Sequence, residues 1–255
     1  MCLKITRFGG VACITLDRAD KLNAIDMTMM MALDRALCEL ETDYALRAVI
    51  LTGTGRAFSV GADINSFAAH DPIKTWREWI RGGHKLIDRL ATLRVPTIGA
   101  INGFCFGGGL ELALATDFCI ADEQASFAAP EVKIGTVPGW GGSQRLPAQI
   151  GPARAKQMMF TGAPIDASNA LAWGLVNEVT ESGMVAERAH EIAKEIAINA
   201  PVAVEIAKQL AAGMNATNLH STLESLAGGF AKGTNDGAEG LAAFAQKRPP
   251  KFRGD

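Results

Sequence analysis

One stretch, residues 101–117, restricts the fold more than any other part of the chain. It reads INGFCFGGGLELALATD: an apolar strand ends at Ile101, and three glycines (Gly107–Gly109) lead into an apolar helix that carries Glu111 near its start. Glycine allows a backbone to approach a ligand closely and to adopt dihedral angles that other residues avoid. The first turn of a helix presents unpaired N–H groups and the positive end of the helix dipole. The stretch therefore predicts a strand–loop–helix unit that binds a negatively charged group.

A phosphate and a transient oxyanion are the two candidates for that group. A Walker loop requires Gly-Lys-Ser/Thr, but Leu110 follows Gly109, and the chain contains no Gly-x-Gly-x-x-Gly. Glu111 would also repel a phosphate at the first helical turn, so an oxyanion formed during a reaction fits better. A purely structural alternative stays open, in which the glycines only permit tight packing and Glu111 is an ordinary first-turn acid.

Composition limits the function classes. The chain has 255 residues, 48% of them hydrophobic and 20% charged, with a formal net charge of −2, which is typical of a globular protein and unlike a nucleic-acid-binding surface. The five cysteines form no CxxC pair and indicate thiols in a reducing compartment. No apolar run is long enough to span a membrane, and the start lacks a signal-peptide pattern. We expect a cytoplasmic protein with neither nucleic-acid nor membrane partners, and no metal, because the histidines lack metal-ligand spacing.

Strands and helices alternate through the first half of the chain. A hairpin is predicted over residues 5–16, with Gly9-Gly10 as its two-residue turn. Asp26 is a candidate N-cap for a helix over 27–41. Further strands are predicted at 48–51, 97–101 and 118–121, and further helices at 73–93 and 108–116. This alternation predicts right-handed crossovers and a mainly parallel sheet.

The second half of the chain is predicted to be mostly helical. Helices are expected over 143–150, 151–160, 167–173, 181–199, 202–214, 219–232 and 236–246, with one short strand at 175–179. A helical extension of this kind commonly covers a site or forms a subunit interface. We divide the chain into a core, residues 1–195, and a helical C-terminal region, residues 196–255.

A second carboxylate of interest, Glu131, follows Glu111 by 20 positions, with a predicted strand between them. Both glutamates lie among small or apolar residues, where the pKa of a carboxyl group rises and the group can exchange protons near neutral pH. Two such groups facing one substrate would form an acid–base pair. Alternatively, Glu131 pairs with Lys133 or with a loop N–H, and Glu111 caps its own helix.

Four motifs in order resemble the crotonase (enoyl-CoA hydratase/isomerase) superfamily, and the likeness extends over essentially the whole chain. They are Asn23-Ala24, the segment AFSVGADI (57–64), the segment from Ile101 to Ala113, and the segment from Pro130 to Leu146. The resemblance implies an α/β fold: a ClpP-like spiral of repeated ββα units with two roughly perpendicular sheets. It also implies a C-terminal helical region that forms homotrimers or dimers of trimers. The substrate would be a coenzyme A thioester, with coenzyme A as part of the substrate and no separate cofactor.

The same resemblance implies roles for individual residues. Glu111 and Glu131 match the catalytic pair of the hydratase branch, and the backbone N–H groups of Ala62 and Gly108 match the oxyanion hole. Residues expected to contact the acyl chain or coenzyme A are Arg18, Lys21, Leu22, Val60, Gly61, Asp63, Ile64, Gly107, Pro130, Gly139, Trp140, Phe244 and Lys247. The reaction implied is hydration of a 2-enoyl-CoA to a 3-hydroxyacyl-CoA.

Several features leave alternatives open. Val60 and Trp140 stand where smaller residues are common in the family, and both are expected to reshape the acyl pocket. Residues 66–81, which include Phe67, correspond to the variable region that shapes the acyl site. Within it, Trp76 and Trp79 are expected to pack in the core rather than touch substrate. Isomerisation of a 3-enoyl-CoA by Glu131 is one rival reaction. A non-catalytic oligomer that binds acyl-CoA or RNA is the other rival.

Overall fold

The N-terminal hairpin forms where the sequence predicts it. The structure, a computed structural model, describes residues 2–68, 71–212 and 217–255. In it β1 (Leu3–Phe8) pairs antiparallel with β2 (Val11–Leu16), and Phe8 lies opposite Val11 across the glycine turn. Gly9 has φ of +59°, which a glycine adopts without strain.

Within the described residues a larger sheet of six strands continues from this hairpin. The added strands are β3 (Ala48–Gly53), β5 (Thr97–Ile101), β7 (Phe118–Asp122) and β10 (Glu178–Thr180). The order of the sheet is β1-β2-β3-β5-β7-β10, and every pairing after the hairpin is parallel. Every residue of β5 is buried, as expected for a parallel strand covered on both faces. The predicted parallel sheet is therefore present, although its last strand begins three residues later than the predicted 175–179.

A smaller sheet of four short strands lies beside the first among the described residues. It has the order β4 (Ala57–Ser59), β6 (Phe104–Phe106), β8 (Ser126–Ala128) and β9 (Ile165–Asp166). The prediction of a helical second half with a single strand was wrong about β9. Strands of two or three residues are too short to show a hydrophobic period, and tertiary pairing alone defines them.

The two sheets are built by a repeated unit. Each of β3, β5 and β7 in the larger sheet is followed by a strand of the smaller sheet and then by a helical segment. Because β4, β6 and β8 run parallel, the loops that follow them leave the small sheet at the same end. Three segments distant in sequence are thereby brought together at that end.

The helices cover both faces of the larger sheet. Asp26 is the N-cap of α1 (Met27–Glu41), as predicted. Its carboxylate accepts a hydrogen bond of 2.8 Å from the Met29 N–H. The other α-helices are α2 (Ile64–Ala68), α3 (Pro72–Lys74), α4 (Arg81–Ala91), α5 (Gly108–Ala113), α6 (Gly142–Ile150), α7 (Pro152–Thr161), α8 (Ala167–Trp173), α9 (Val185–Ala197), α10 (Pro201–Ala212), α11 (Thr217–Gly233) and α12 (Asn235–Ala245). Short 3-10 helices span Ala19–Lys21 and Glu131–Ile134.

Three predicted helices differ in detail. The one expected over 73–93 consists of α3, a π-helical segment (Thr75–Ile80) and α4 in direct succession. The one expected over 108–116 ends at Ala113, and the one expected over 181–199 is α9, which is shorter at both ends. The last two residues of the helix expected over 202–214 lie outside the described residues. No helix among the described residues is both long and apolar enough to cross a lipid bilayer.

Two ion pairs attach α10 to the sheet. The Lys208 ammonium lies 2.8 Å from an Asp117 carboxylate oxygen and donates to the Val95 carbonyl at 2.9 Å. Arg94 pairs with Glu205. The Lys208 side chain is only 9% exposed. Its ammonium group therefore depends on Asp117 and the Val95 carbonyl for the interactions that water would otherwise supply.

We expect Lys208→Met to lower the free energy of unfolding by about 2–3 kcal/mol, because it leaves Asp117 without its cation. Urea denaturation measures this change. Lys74→Met is the matched control, since Lys74 and Glu78 form an exposed pair of 3.9 Å that contributes roughly 0.3–0.5 kcal/mol. Equal effects of the two substitutions would contradict a stabilising role for the buried pair.

Candidate active site

A pocket of about 290 Å³ opens where the loops after β4, β6 and β8 meet. Its exposed lining residues are Ile64, Lys133, Ile134 and Val137, whereas its most buried lining side chains are Trp79 and Trp140, each only 2% exposed. The lining residues are Val60, Ala62, Ile64, Phe67, Trp79, Ile80, Gly107, Gly108, Glu111, Pro130, Glu131, Lys133, Ile134, Thr136, Val137, Gly139 and Trp140. A largely apolar pocket with a few converging polar groups is the usual form of a small-molecule site.

Glycine backbones pack directly on each other at one wall of the pocket. Gly61 has φ of +87°, and a Cβ placed on it would lie 2.7 Å from the Gly108 nitrogen. Gly107, the residue before α5, has φ of +52°. Any side chain at Gly61 would separate the two loops, so the glycine is required for this close approach.

Two backbone N–H groups at this wall have no protein acceptor among the hydrogen bonds of the described residues. They belong to Ala62 and Gly108, and both residues line the pocket. Ala62 is held in place by its neighbours, because Ile25 donates to the Gly61 carbonyl at 2.7 Å and Asp63 donates to the Ile25 carbonyl at 2.8 Å. Gly108 is the first residue of α5, where an N–H is normally left unpaired.

A buried network supports the Ala62 loop from below. Asn23 is fully buried, and its amide donates to the Thr54 and Ala57 carbonyls at 2.9 and 2.7 Å. The Ser59 hydroxyl donates to the Asn23 carbonyl at 2.8 Å and accepts from the Gly61 N–H at 3.1 Å. Each of these polar groups is satisfied internally, which keeps the loop rigid.

The Glu111 carboxylate lies at the start of α6 and does not cap its own helix. Its Oε1 accepts hydrogen bonds from the backbone N–H groups of Trp140 and Gly142 at 2.7 and 2.8 Å. Burial raises the pKa of Glu111 to about 7, against the lowering effect of these two N–H donors, and the charge of Glu131 adds to the increase. A carboxyl group with a pKa near the working pH can both accept and release a proton.

The Glu131 carboxylate faces the same pocket from the 3-10 helix that follows β8. Burial raises its pKa, and its Oε2 is buried without a hydrogen-bond partner. Its Oε1 lies beside the Gly107 backbone, 3.4 Å from where a Cβ on that residue would be. The alternative of a Glu131–Lys133 pair is not supported, because the ion pairs of the described residues do not include it.

Arg18 does not line the pocket, and its guanidinium already binds acceptors within the protein. Its guanidinium pairs with Asp26 at 3.0 Å and with Asp63 at 3.1 Å, and it donates to the Ala24 carbonyl at 2.7 Å. Asp63 follows Ala62 directly, so these ion pairs position the loop that carries the unpaired Ala62 N–H.

The remaining residues predicted from the sequence fall into two groups. Within the described residues, Val60, Ile64, Gly107, Pro130, Gly139 and Trp140 line the pocket with the two glutamates, Ala62 and Gly108, whereas Lys21, Leu22, Gly61, Asp63, Phe244 and Lys247 do not. Lys21 is exposed at the end of a 3-10 helix. Phe244, 86% exposed, lies in the last turn of α12, and Lys247 follows the end of that helix.

The sequence matches a known family along nearly its whole length. The model of the enoyl-CoA hydratase/isomerase family matches residues 6–255. The chain belongs to this family. The resemblance inferred from the four motifs is therefore confirmed.

Individual relatives agree with the family match. A short-chain-enoyl-CoA hydratase from Clostridium acetobutylicum is 40% identical over 243 residues, covering 94% of this chain and 93% of that protein. A carnitinyl-CoA dehydratase from Salmonella typhi is 37% identical, covering 99% and 98%. The crystal structure of an enoyl-CoA hydratase from Bacillus anthracis superimposes with a TM-score of 0.96 at 35% identity over the whole of both chains. The expected crotonase fold is thus confirmed.

Several lining residues of this family member were missed from the sequence. They are Lys133, Ile134, Thr136 and Val137. Phe67 and Ile80 line the pocket as expected for residues 66–81, and Trp79 packs in the core as expected while also lining the pocket. The expectation that Trp76 packs in the core was wrong, since it is 57% exposed beneath the Arg81 guanidinium. Residues 66–81 thus include side chains that line the pocket and one that is exposed outside it. Ala69 and His70 of this region lie outside the described residues.

The raised pKa of Glu111 predicts a pH-dependent stability. A carboxyl group whose folded pKa is above its unfolded value of 4.5 favours folding less as pH rises between the two values. We expect Glu111→Gln to gain stability over the wild type by on the order of 3 kcal/mol between pH 4.5 and pH 8. Urea denaturation at a series of pH values measures it, with Glu123→Gln, at an exposed position, as the control. A constant difference over this range would show that Glu111 ionises normally.

Proposed function

We propose that the protein is an enoyl-CoA hydratase, which adds water in syn fashion to a 2-enoyl-CoA thioester and yields a 3-hydroxyacyl-CoA. One observation carries the proposal: the buried Glu111 and the half-buried Glu131 carboxyl groups face the same pocket as two unpaired backbone N–H groups. Family membership and hydro-lyase relatives support the same reaction.

The two N–H groups of Ala62 and Gly108 are proposed to form the oxyanion hole. Both would donate to the thioester carbonyl oxygen, which becomes more negative as water adds to the conjugated double bond. Fixed donors in a site shielded from water stabilise such charge strongly, and removing one of them typically lowers the rate by roughly 10²–10³-fold. The rigid glycine contact between the two loops supports this role because it holds the donors without reorganisation.

The two glutamates are proposed to move the protons. Glu111, ionised and held through its Oε1 by two N–H groups, would accept a proton from water as the oxygen bonds to C3. Glu131, whose burial favours the protonated form, would give its proton to C2. Water thus supplies the hydroxyl at C3, and its second proton stays on Glu111. Transfer of one proton from Glu111 to Glu131 then returns both carboxyl groups to their starting state. No metal or redox cofactor enters this scheme, and that absence remains a prediction.

Hydration of crotonyl-CoA, followed by loss of the absorbance of the conjugated thioester, tests the proposal. We expect the wild type to hydrate it, and Glu111→Gln and Glu131→Gln to lower kcat by roughly 10²–10⁴-fold each while folding normally. Glu187→Gln, on the exposed surface of α9, is the matched control. Near-wild-type turnover in either pocket variant would refute the assigned roles, and conversion of a 3-enoyl-CoA without hydration would favour the rival isomerase.

The phosphates of coenzyme A are proposed to bind near Lys21. Arg18 was expected to contribute too, but its charge is already shared between Asp26 and Asp63. We expect Lys21→Ala to raise the KM for crotonyl-CoA severalfold at low salt, and the difference to shrink as ionic strength rises, since exposed charges are screened. Lys194→Ala, on α9, is the control. A KM that does not change with Lys21→Ala at low salt would assign the phosphates to other residues.

A homotrimer or dimer of trimers, assembled through residues 196–255, is also proposed. Apolar side chains on α11 and α12 support it, since Leu226, Phe230 and Leu241 are 66%, 65% and 58% exposed. Phe244 and Lys247 would then contact coenzyme A bound to a neighbouring subunit.

A reducing compartment such as the cytoplasm is proposed from the five unpaired cysteines, and no nucleic-acid partner is expected.

A further inference from the structure

The Trp140 ring packs between two glycines, Gly83 and Gly108. On one side, a Cβ on Gly108 would lie 2.8 Å from Cζ3 of the indole. On the other side, a Cβ on Gly83 of α4 would overlap the indole nitrogen and its neighbouring carbons, closer than real Cβ atoms approach any atom. The indole N–H donates to the Trp79 carbonyl at 3.2 Å, and the two tryptophan rings lie 5.4 Å apart. The ring therefore cannot move aside without displacing α4 or the first turn of α5.

Trp140 contacts two groups that are assigned to the reaction, Glu111 and Gly108. The Trp140 backbone N–H holds Glu111, the carboxylate assigned to the water that attacks C3. The benzene half of the ring lies against Gly108, whose N–H is assigned to the thioester oxygen. With the carbonyl and C3 at these positions, acyl carbons beyond C3 would extend either toward the buried Trp79 and Trp140 rings or toward the exposed Ile134 and Val137.

We propose that Trp140 determines the acyl-chain length by closing the inner end of the pocket, and that Gly83 positions it by leaving room for its ring. The proposal rests on the hydratase function above. The protein would accordingly act on short 2-enoyl-CoA thioesters, and its limit on chain length would be set by the Gly83–Trp140 pair.

Chain-length profiles test the closed end. We expect the ratio of kcat/KM for 2-decenoyl-CoA to that for crotonyl-CoA to rise about tenfold or more in Trp140→Ala, because apolar contacts of added methylenes replace the lost ring. Trp140→Phe, which removes less volume, should give a smaller rise and covers the case in which the alanine variant does not fold. Trp76→Ala is the matched control, since it removes the same ring from an exposed position outside the pocket lining.

A double-mutant cycle tests the fit independently of activity. Gly83→Ala should lower the melting temperature by roughly 2–10 °C in the wild-type background, because its methyl group overlaps the indole. In the Trp140→Ala background the same change should be neutral or stabilising, since alanine favours a helix over glycine. Equal effects of Gly83→Ala in both backgrounds would overturn the positioning role of Gly83.

The outcomes separate this inference from the proposed function. A wild type that hydrates crotonyl-CoA, with an unchanged chain-length profile in both Trp140 variants, would overturn the inference alone and direct the acyl chain toward the exposed Ile134 and Val137. A wild type that hydrates none of the thioesters would refute the proposed function and the chain-length limit with it. The melting temperatures would still decide whether Gly83 accommodates the ring.

Discussion

Close backbone packing between the loop after β4 and the start of α5 is the constraint on which the site depends. The parallel pairing of β4 with β6 brings the two segments to one end of the small sheet, and Gly61 then allows the Ala62 loop to lie against Gly108. Hydrogen-bond donors are left unpaired at this contact because one belongs to a helix start and the other to a loop whose neighbours are already bonded. The fold thus creates two adjacent donors without any polar side chain.

Burial and hydrogen bonding act in opposite directions on the Glu111 carboxylate. Water exclusion raises its pKa, whereas two N–H groups at the start of α6 favour its charged form. The balance near 7 depends on both, because donors alone would keep the group ionised and burial alone would keep it protonated. Glu131, with one buried oxygen lacking a partner, is subject mainly to burial. Two carboxyl groups with different surroundings can therefore take different roles in the same pocket.

The aromatic end of the pocket connects the site to the rest of the core. Trp140 belongs to the loop that holds Glu111 through its backbone, while its side chain packs on Trp79 and α4. Under the proposed chain-length role, substrate selection and carboxylate positioning share this one residue, through different atoms. Changes in the ring should alter selectivity while the backbone N–H remains available to Glu111.

The sequence by itself determined the hairpin, the parallel strands of the larger sheet and α1 with its Asp26 cap, because hydrophobic periods and capping residues are local signals. It also indicated Glu111, Glu131 and the glycine loop, since glycines before a helix and carboxyl groups among apolar residues can be recognised in the chain. Only the tertiary structure decided the small sheet, whose strands are too short for a period. It alone showed that Arg18 is held by Asp26 and Asp63, that Trp79 and Trp140 close one pocket, and that Gly83 makes room for an indole 57 positions away. Such features depend on contacts between segments distant in sequence, and the pattern of either segment alone carries no record of them.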